Sequence, residues 1–182
     1  LAQHPGAEVP CLLAGLSPVD ALGTNKLQGL LGSGSATLAY AAKGQVDPRR
    51  HMPSALLALA GSAFGALAAT VVPADVLRGA LPVVLIAIAL FFAFKPNIND
   101  VDRARRMSPL LFSVTLVPLV GFYDGLFGPG TGSFYMLAFL TLAGFGVLKA
   151  TAHTKLLNFA TNIGALVVFS AAGVVYWKIG VA

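Results

Sequence analysis

Uninterrupted apolar runs, about as long as a bilayer is thick, constrain this chain more than any other feature of its sequence. The run from Ser54 to Val72 contains no charged side chain, and the run from Val76 to Phe94 contains only Arg78, near its edge. A membrane helix needs about 20 apolar residues. Soluble domains carry about 25% charged residues, whereas this chain carries 10%. The sequence therefore predicts an all-α, polytopic transmembrane helical bundle.

Two further runs of similar length contain more polar residues, and they extend from Asn25 to Ala42 and from Thr154 to Val175. The apolar stretch from Ser108 to Gly146 is about twice as long as one crossing. Its middle, from Tyr123 to Ser133, holds four glycines and a proline in eleven residues. Because that composition cannot continue a helix, we predict two helical pieces joined by an irregular break.

The basic residues lie mainly in short connections between apolar runs. By the positive-inside rule, two such loops face the cytoplasm and the turn at Pro73 faces outward. The alternative, that the charges only keep the loops hydrated, changes the orientation alone. Short clusters do not form the long basic stripe that grips nucleic acid, so we expect no nucleic-acid partner. The loop residues are Lys43, Arg49 and Arg50 in one and Lys95, Arg103, Arg105 and Arg106 in the other.

Sequence motifs for catalysis, cofactors or metals are absent. Cys11 is the single cysteine, so an internal disulfide or a thiolate metal site cannot form. There is no Ser-His-Asp set, and the segment from Gly128 to Gly132 lacks the Lys-Ser/Thr of a phosphate loop. We expect no enzymatic activity, no cofactor and no metal.

The chain matches itself when it is shifted by 129 residues. The shift aligns Lys26-Leu27 with Lys155-Leu156, together with several Gly, Ala and Val positions. A constant offset over about thirty positions predicts an internal repeat. We divide the chain into a first repeat, 10–94, which lacks its glycine-rich start, a basic cytoplasmic linker, 95–107, and a second repeat, 108–182, cut before its last two helices. The complete molecule is expected to have two four-helix halves.

Three segments resemble one known family. They are ALGTNKLQ from Ala21, GFYDGLFGPGTGSF from Gly121 and KATAHTKLLNF from Lys149. They resemble the sulfite exporter TauE/SafE family, also called the 4-toluene sulfonate uptake permease family, and most of all its YfcA-like branch. The resemblance implies a multi-pass transporter of the bacterial inner (plasma) membrane, for sulfur-containing oxyanions and organosulfonates. The chain departs from the family before Pro10, where a glycine run is normal.

The residues themselves also indicate an anion site. Thr24 or Asn25 is predicted to cap a helix start, so that Lys26 would lie in the first turn, and Lys155 follows His153-Thr154 in the same way. A cation there opposes the helix dipole, and a bound anion would remove the penalty. The glycine break would add backbone N–H groups. The candidate substrate-binding residues are Thr24, Asn25, Lys26, Asp124, Gly128, Gly130, Thr131, Gly132, His153, Thr154, Lys155 and Asn158.

Each candidate has another interpretation. The lysines could be interfacial, Asn158 and Asn162 could join helices by hydrogen bonds, and His153 could be a packing residue. Asp124 could pair with a lysine, carry a proton or cap the broken helix.

Two functions therefore compete. One is a secondary carrier or facilitator of a small anion, and the other is a membrane-embedded binding or assembly module that contacts partner helices or anionic lipids. Broken helices favour the carrier, because scaffolding does not require them. Glycine-rich faces suit either internal packing or a homo-oligomer.

Overall fold

The computed structural model describes residues 17–93, 104–177 and 180, and the regular elements within these ranges are all helices. Three of these helices, Met52–Val71, Pro109–Leu126 and Val147–Ala171, are long and apolar enough to cross a membrane. The prediction of an all-α membrane bundle is therefore confirmed. The predicted roles of Cys11, Lys95 and Arg103 lie outside the described residues. The helices are α1 (Pro18–Ala42), α2 (Met52–Val71), α3 (Ala74–Ala93), α4 (Pro109–Leu126), α5 (Thr131–Thr141) and α6 (Val147–Ala171).

Helix α1 begins seven residues before the position expected from its apolar run. Ser17 and Asp20 form a capping box: the Ser17 hydroxyl accepts the N–H of Asp20 at 3.2 Å, and the Asp20 carboxylate accepts the N–H of Ser17 at 3.3 Å. Pro18 occupies the first helical position, where its missing N–H costs nothing. The prediction that Thr24 or Asn25 caps this helix is therefore wrong.

Helix α6 likewise begins at Val147, after Gly146, and not at Thr154. Lys26 and Lys155 are each the ninth residue of their helix, two turns beyond the first. The prediction of a lysine in the first helical turn is wrong for both. The helix dipole acts mainly in the first and last turns, so the predicted penalty does not apply there.

Helices α1 and α6 correspond to each other at both ends. Each has 25 residues, and Pro18 and Val147, like Ala42 and Ala171, are 129 positions apart. Each helix is also followed by a glycine with positive φ, 69° at Gly44 and 74° at Gly173. An internal repeat would produce this match, although the duplication itself stays a prediction.

Helix α2 packs closely against α4 through glycines spaced four residues apart. Gly61 and Gly65 of α2 lie against the backbone of α4, and Gly121 and Gly125 of α4 lie against the backbone of α2. A methyl group at Gly65 would overlap the Phe122 carbonyl oxygen. Small residues at this spacing allow helices in lipid to approach closely.

The chain is interrupted between α4 and α5, from Phe127 to Gly130. Gly128 and Gly130 have φ values of 84° and 82°, in the region that glycine adopts most easily. The Tyr123 hydroxyl donates to the Pro129 carbonyl at 2.6 Å and closes the loop. With 11 residues, α5 is about 16 Å long, roughly half the hydrocarbon thickness of a bilayer.

Candidate functional site

A buried ion pair links α1 to the end of α4. The Lys26 ammonium lies 2.8 Å from Oδ2 of Asp124, and the two side chains are 2% and 7% exposed. Desolvation of two charges is costly, so close pairing and further hydrogen bonds are needed to hold them in the interior. Of the three roles considered for Asp124, pairing with a lysine is the one that this geometry displays.

The same carboxylate joins both sides of the helix break. Oδ1 of Asp124 accepts a hydrogen bond from the Thr131 hydroxyl at 2.7 Å, and Gly128 offers its carbonyl to that hydroxyl at 2.8 Å. Oδ2 has no hydrogen-bond partner other than the Lys26 ammonium. A Cβ atom on Gly128 would lie 3.5 Å from the Lys26 Nζ atom. The break therefore brings the ion pair directly to the start of α5.

The start of α5 has unused hydrogen-bonding capacity. Its N-cap is Gly130, which has no side chain to accept the first backbone N–H groups. The side chains of Asn158 and Thr154 on α6 lie close to this helix start. If Gly132 carried a Cβ atom, that atom would be 3.1 Å from Nδ2 of Asn158 and 3.9 Å from Cγ2 of Thr154. Buried Oγ1 of Thr154 and buried Oδ1 of Asn158 have no hydrogen-bond partner. Such groups are rare in protein interiors and call for an explanation.

Three other candidates lie in different surroundings. Thr24 is buried, and its hydroxyl accepts the N–H of Tyr176 at 3.2 Å, which ties α1 to the segment after α6. Asn25 is exposed, although its neighbours Thr24 and Lys26 are buried. Lys155 is half-buried, and within the described ranges it forms no ion pair.

His153 lies in a second place, at a cavity of about 670 Å³. Its Nδ1 is 2.8 Å from the Lys149 carbonyl oxygen, and its Nε2 is 3.1 Å from Nε2 of His51. Of the twelve predicted site residues, only His153 lines this cavity. The structure therefore separates His153 from the group at the helix break.

Sequence reasoning missed the other polar residues of this cavity. Arg50, His51, Arg105 and Lys149 come from three parts of the chain and line one space. The one available signal was the prediction that the two basic loops face the same side, and Arg50 and Arg105, one from each loop, do line the same cavity. Within the described ranges, no three His, Cys, Asp or Glu side chains come together as a metal site would require.

Comparison with known proteins bears on these observations. Residues 8–182 match the family model described as sulfite exporter TauE/SafE. The chain belongs to the TauE/SafE family. The resemblance of its three motifs is thereby confirmed.

Curated relatives of the TauE/SafE chain carry the name probable membrane transporter protein. ORF9 of Sinorhizobium is 63% identical over 93% of this chain and 65% of its own length. YfcA of Escherichia coli is 47% identical over 94% of this chain and 64% of its own length. A Haemophilus influenzae relative is 42% identical over 94% and 68%. The chain thus spans about two thirds of the relatives that it matches, and no solved structure matches it.

Proposed function

We propose that this chain carries the substrate site of a secondary transporter or facilitator for small anions, such as sulfite, an organosulfonate or a related oxyanion. The observation that carries the proposal is the junction of three features at one helix break. These are the buried Lys26–Asp124 pair, the uncapped start of α5, and the unpartnered oxygens of Thr154 and Asn158. Half-helix starts that meet polar side chains inside a bundle are a recurrent form of transporter site.

The anion would bind between the start of α5 and α6. Backbone N–H groups at Thr131 and Gly132, Nδ2 of Asn158 and the Thr154 hydroxyl can all donate to an oxyanion, whereas Oδ1 of Asn158 can only accept and would pair with a protonated oxygen of the ligand. Asp124 opposes this binding, because its negative charge lies beside Lys26 and the α5 start. Protonation of Asp124 would leave Lys26 free to bind the anion, so the pair offers a route to coupling anion movement to protons.

The competing assembly-module function has less support. It requires glycine-rich faces that are open to partner helices, whereas Gly61, Gly65, Gly121 and Gly125 already pack α2 against α4. It also leaves the unpartnered Thr154 and Asn158 oxygens without a role. The relatives' name, probable membrane transporter protein, agrees with the carrier.

The test removes the two unpartnered oxygens without changing side-chain volume greatly. Thr154→Val and Asn158→Leu are made in the full-length protein, which is reconstituted in proteoliposomes with labelled sulfite or an organosulfonate. We expect Thr154→Val to keep its thermal stability, because Oγ1 of Thr154 has no hydrogen bond to lose. Uptake should fall by about tenfold or more, as expected for one lost hydrogen bond to a charged group.

The control variant is Thr151→Val. Thr151 lies on the same helix, and its hydroxyl donates to the Val147 carbonyl at 2.7 Å, so it is already satisfied locally. Its uptake should match the wild type. Lys155→Gln tests the second lysine separately, because no ion pair within the described ranges depends on it. Normal uptake by both Thr154→Val and Asn158→Leu would refute the site, whatever the result for Lys155→Gln.

A further inference from the structure

A cavity of about 670 Å³ lies where α2, α4 and α6 begin, apart from the helix break. Its inner wall is aromatic: Phe112, Phe139 and Phe145 line it, and the rings of Phe139 and Phe145 stack with centroids 5.5 Å apart. Lys26, Asp124 and Thr131 are not among the lining residues. The cavity is therefore a second site, separate from the one proposed for the transported anion.

The charged side chains among the described lining residues are all basic. Arg50 and Arg105 are exposed at the cavity, and the Lys149 ammonium lies 4.5 Å from the centroid of the Phe145 ring. No carboxylate is present among the described lining residues. The nearby acid Asp47 lies outside the lining, and its carboxylate accepts the backbone N–H groups of Arg49 and Arg50. The cavity thus favours an anionic ligand.

Two imidazoles fix part of the wall. The Lys149 carbonyl can only accept, so Nδ1 of His153 donates to it. In the neutral pair, Nε2 of His153 then accepts from Nε2–H of His51 at 3.1 Å. This contact joins the start of α2 to α6 at the cavity wall.

The cavity continues onto an apolar outer surface. Leu110 and Val114 of α4 line it and are also 75% and 47% exposed. Helix α4 is one of the candidate membrane spans, so its exposed apolar side chains would face lipid tails. A ligand that fills the whole space would need a compact anionic group joined to an apolar chain that runs along α4.

We propose that this cavity binds the phosphate headgroup of an anionic phospholipid, with an acyl chain along Leu110 and Val114. Arg50, Arg105 and Lys149 would surround the phosphate, and basic pockets between membrane helices are known to hold such headgroups. A soluble oxyanion shares the phosphate chemistry but has no group for the outer apolar surface. The lipid accounts for both parts of the lining.

Native mass spectrometry and thermal unfolding of the full-length protein test the proposal. The probes are phosphatidylglycerol, phosphatidylethanolamine with the same acyl chains, and glycerol 3-phosphate. We expect wild-type protein to retain phosphatidylglycerol preferentially. Arg50→Gln/Arg105→Gln should weaken that binding by about 30-fold, since each basic residue near an anionic lipid contributes about fivefold.

The chain provides matched controls in the neighbouring arginines. Arg49 and Arg106 are exposed in the same two loops but do not line the cavity, so Arg49→Gln/Arg106→Gln should bind phosphatidylglycerol like the wild type. All four arginines are exposed, and exposed substitutions seldom affect folding. Val114→Trp, which obstructs the outer surface, should weaken the lipid but leave glycerol 3-phosphate binding unchanged.

Three results would overturn the proposal. Equal loss in the two double variants would mean that diffuse surface charge binds the lipid. Displacement of the lipid by glycerol 3-phosphate at a similar concentration would identify a site for soluble oxyanions. Equal retention of phosphatidylglycerol and phosphatidylethanolamine would show that the cavity does not recognise the net negative charge of the lipid, and would overturn a site for an anionic phospholipid.

Discussion

Asn162 donates a hydrogen bond from Nδ2 to the hydroxyl of Ser33 at 3.3 Å, and the two residues are 129 positions apart. Each is the sixteenth residue of a 25-residue helix, Ser33 in α1 and Asn162 in α6. Contact between corresponding residues arises where an approximate two-fold axis passes between two copies of a segment. The contact therefore supports the duplication with an observation that sequence identity alone does not provide.

Close packing of α2 against α4 yields the first prediction. Gly65→Ala should destabilise the protein by about 1–3 kcal/mol, because the added methyl group would overlap the Phe122 carbonyl and force the helices apart. Thermal unfolding in detergent would measure the loss. The matched control is Gly32→Ala on α1, where a Cβ meets nothing within 4 Å. That variant should be unchanged or more stable, since alanine favours a helix over glycine. Equal midpoints for the two variants would contradict the packing.

The Lys26–Asp124 pair yields the second prediction. Lys26→Met or Asp124→Asn alone should cost about 3–5 kcal/mol, because each change leaves the other charge buried and unpaired. The double variant Lys26→Met/Asp124→Asn should be more stable than the sum of the two losses implies, since no lone charge remains. Chemical denaturation of all four proteins measures the coupling. Simple additivity of the two losses would show that the charges do not interact.

Acid sensitivity at the basic cavity yields the third prediction. Burial lowers the pKa of His51 below its usual range, the Arg50 and Lys149 charges act in the same direction, and Asp47 opposes them. The folded chain therefore holds this proton less tightly than the unfolded chain, and protonation favours unfolding. The stability should be full above about pH 6.5, the ordinary value for histidine, and should fall as the pH drops below it.

His51→Gln checks the sign of this effect. The variant cannot take up that proton, so its unfolding midpoint should fall less than that of the wild type between about pH 7.5 and pH 5.5. His153, which faces His51, remains in both proteins and serves as the common background. An identical decline in wild type and variant would exclude His51 as the source of the acid sensitivity.

The helices formed by the two most apolar runs could be predicted well from sequence. The run starting at Ser54 became a helix from Met52, and the run starting at Val76 became a helix from Ala74. Lipid tolerates few exposed polar groups in a spanning helix, so a long run with almost no charged residues is enough to locate such a helix.

The helices that contain polar residues could not be located in this way. Polar residues near Lys26 suggested a helix start, but inside the bundle Thr24 pairs with the Tyr176 backbone and Lys26 with Asp124. These partners come from distant parts of the chain and become visible only in three dimensions. The Ser17–Asp20 capping box was the local signal that could have located the start of α1.

At the helix break, the sequence singled out the acid Asp124 but did not identify its partner. The acid in the glycine-rich segment indicated a special position, because intramembrane acids are rare. Its partner depended on how α1 lies against α4, which no local pattern specifies. His51 and His153 are 102 residues apart, and neither loop composition nor helix periodicity predicts their contact.

Two hydrogen bonds hold the corner between α4 and α5, one from the Tyr123 hydroxyl to the Pro129 carbonyl and one from the Thr131 hydroxyl to the Asp124 carboxylate. Bending this corner would break both hydrogen bonds, so we expect it to keep its shape. In the transport function that we propose, the surrounding long helices would then move relative to this corner to open and close the pathway.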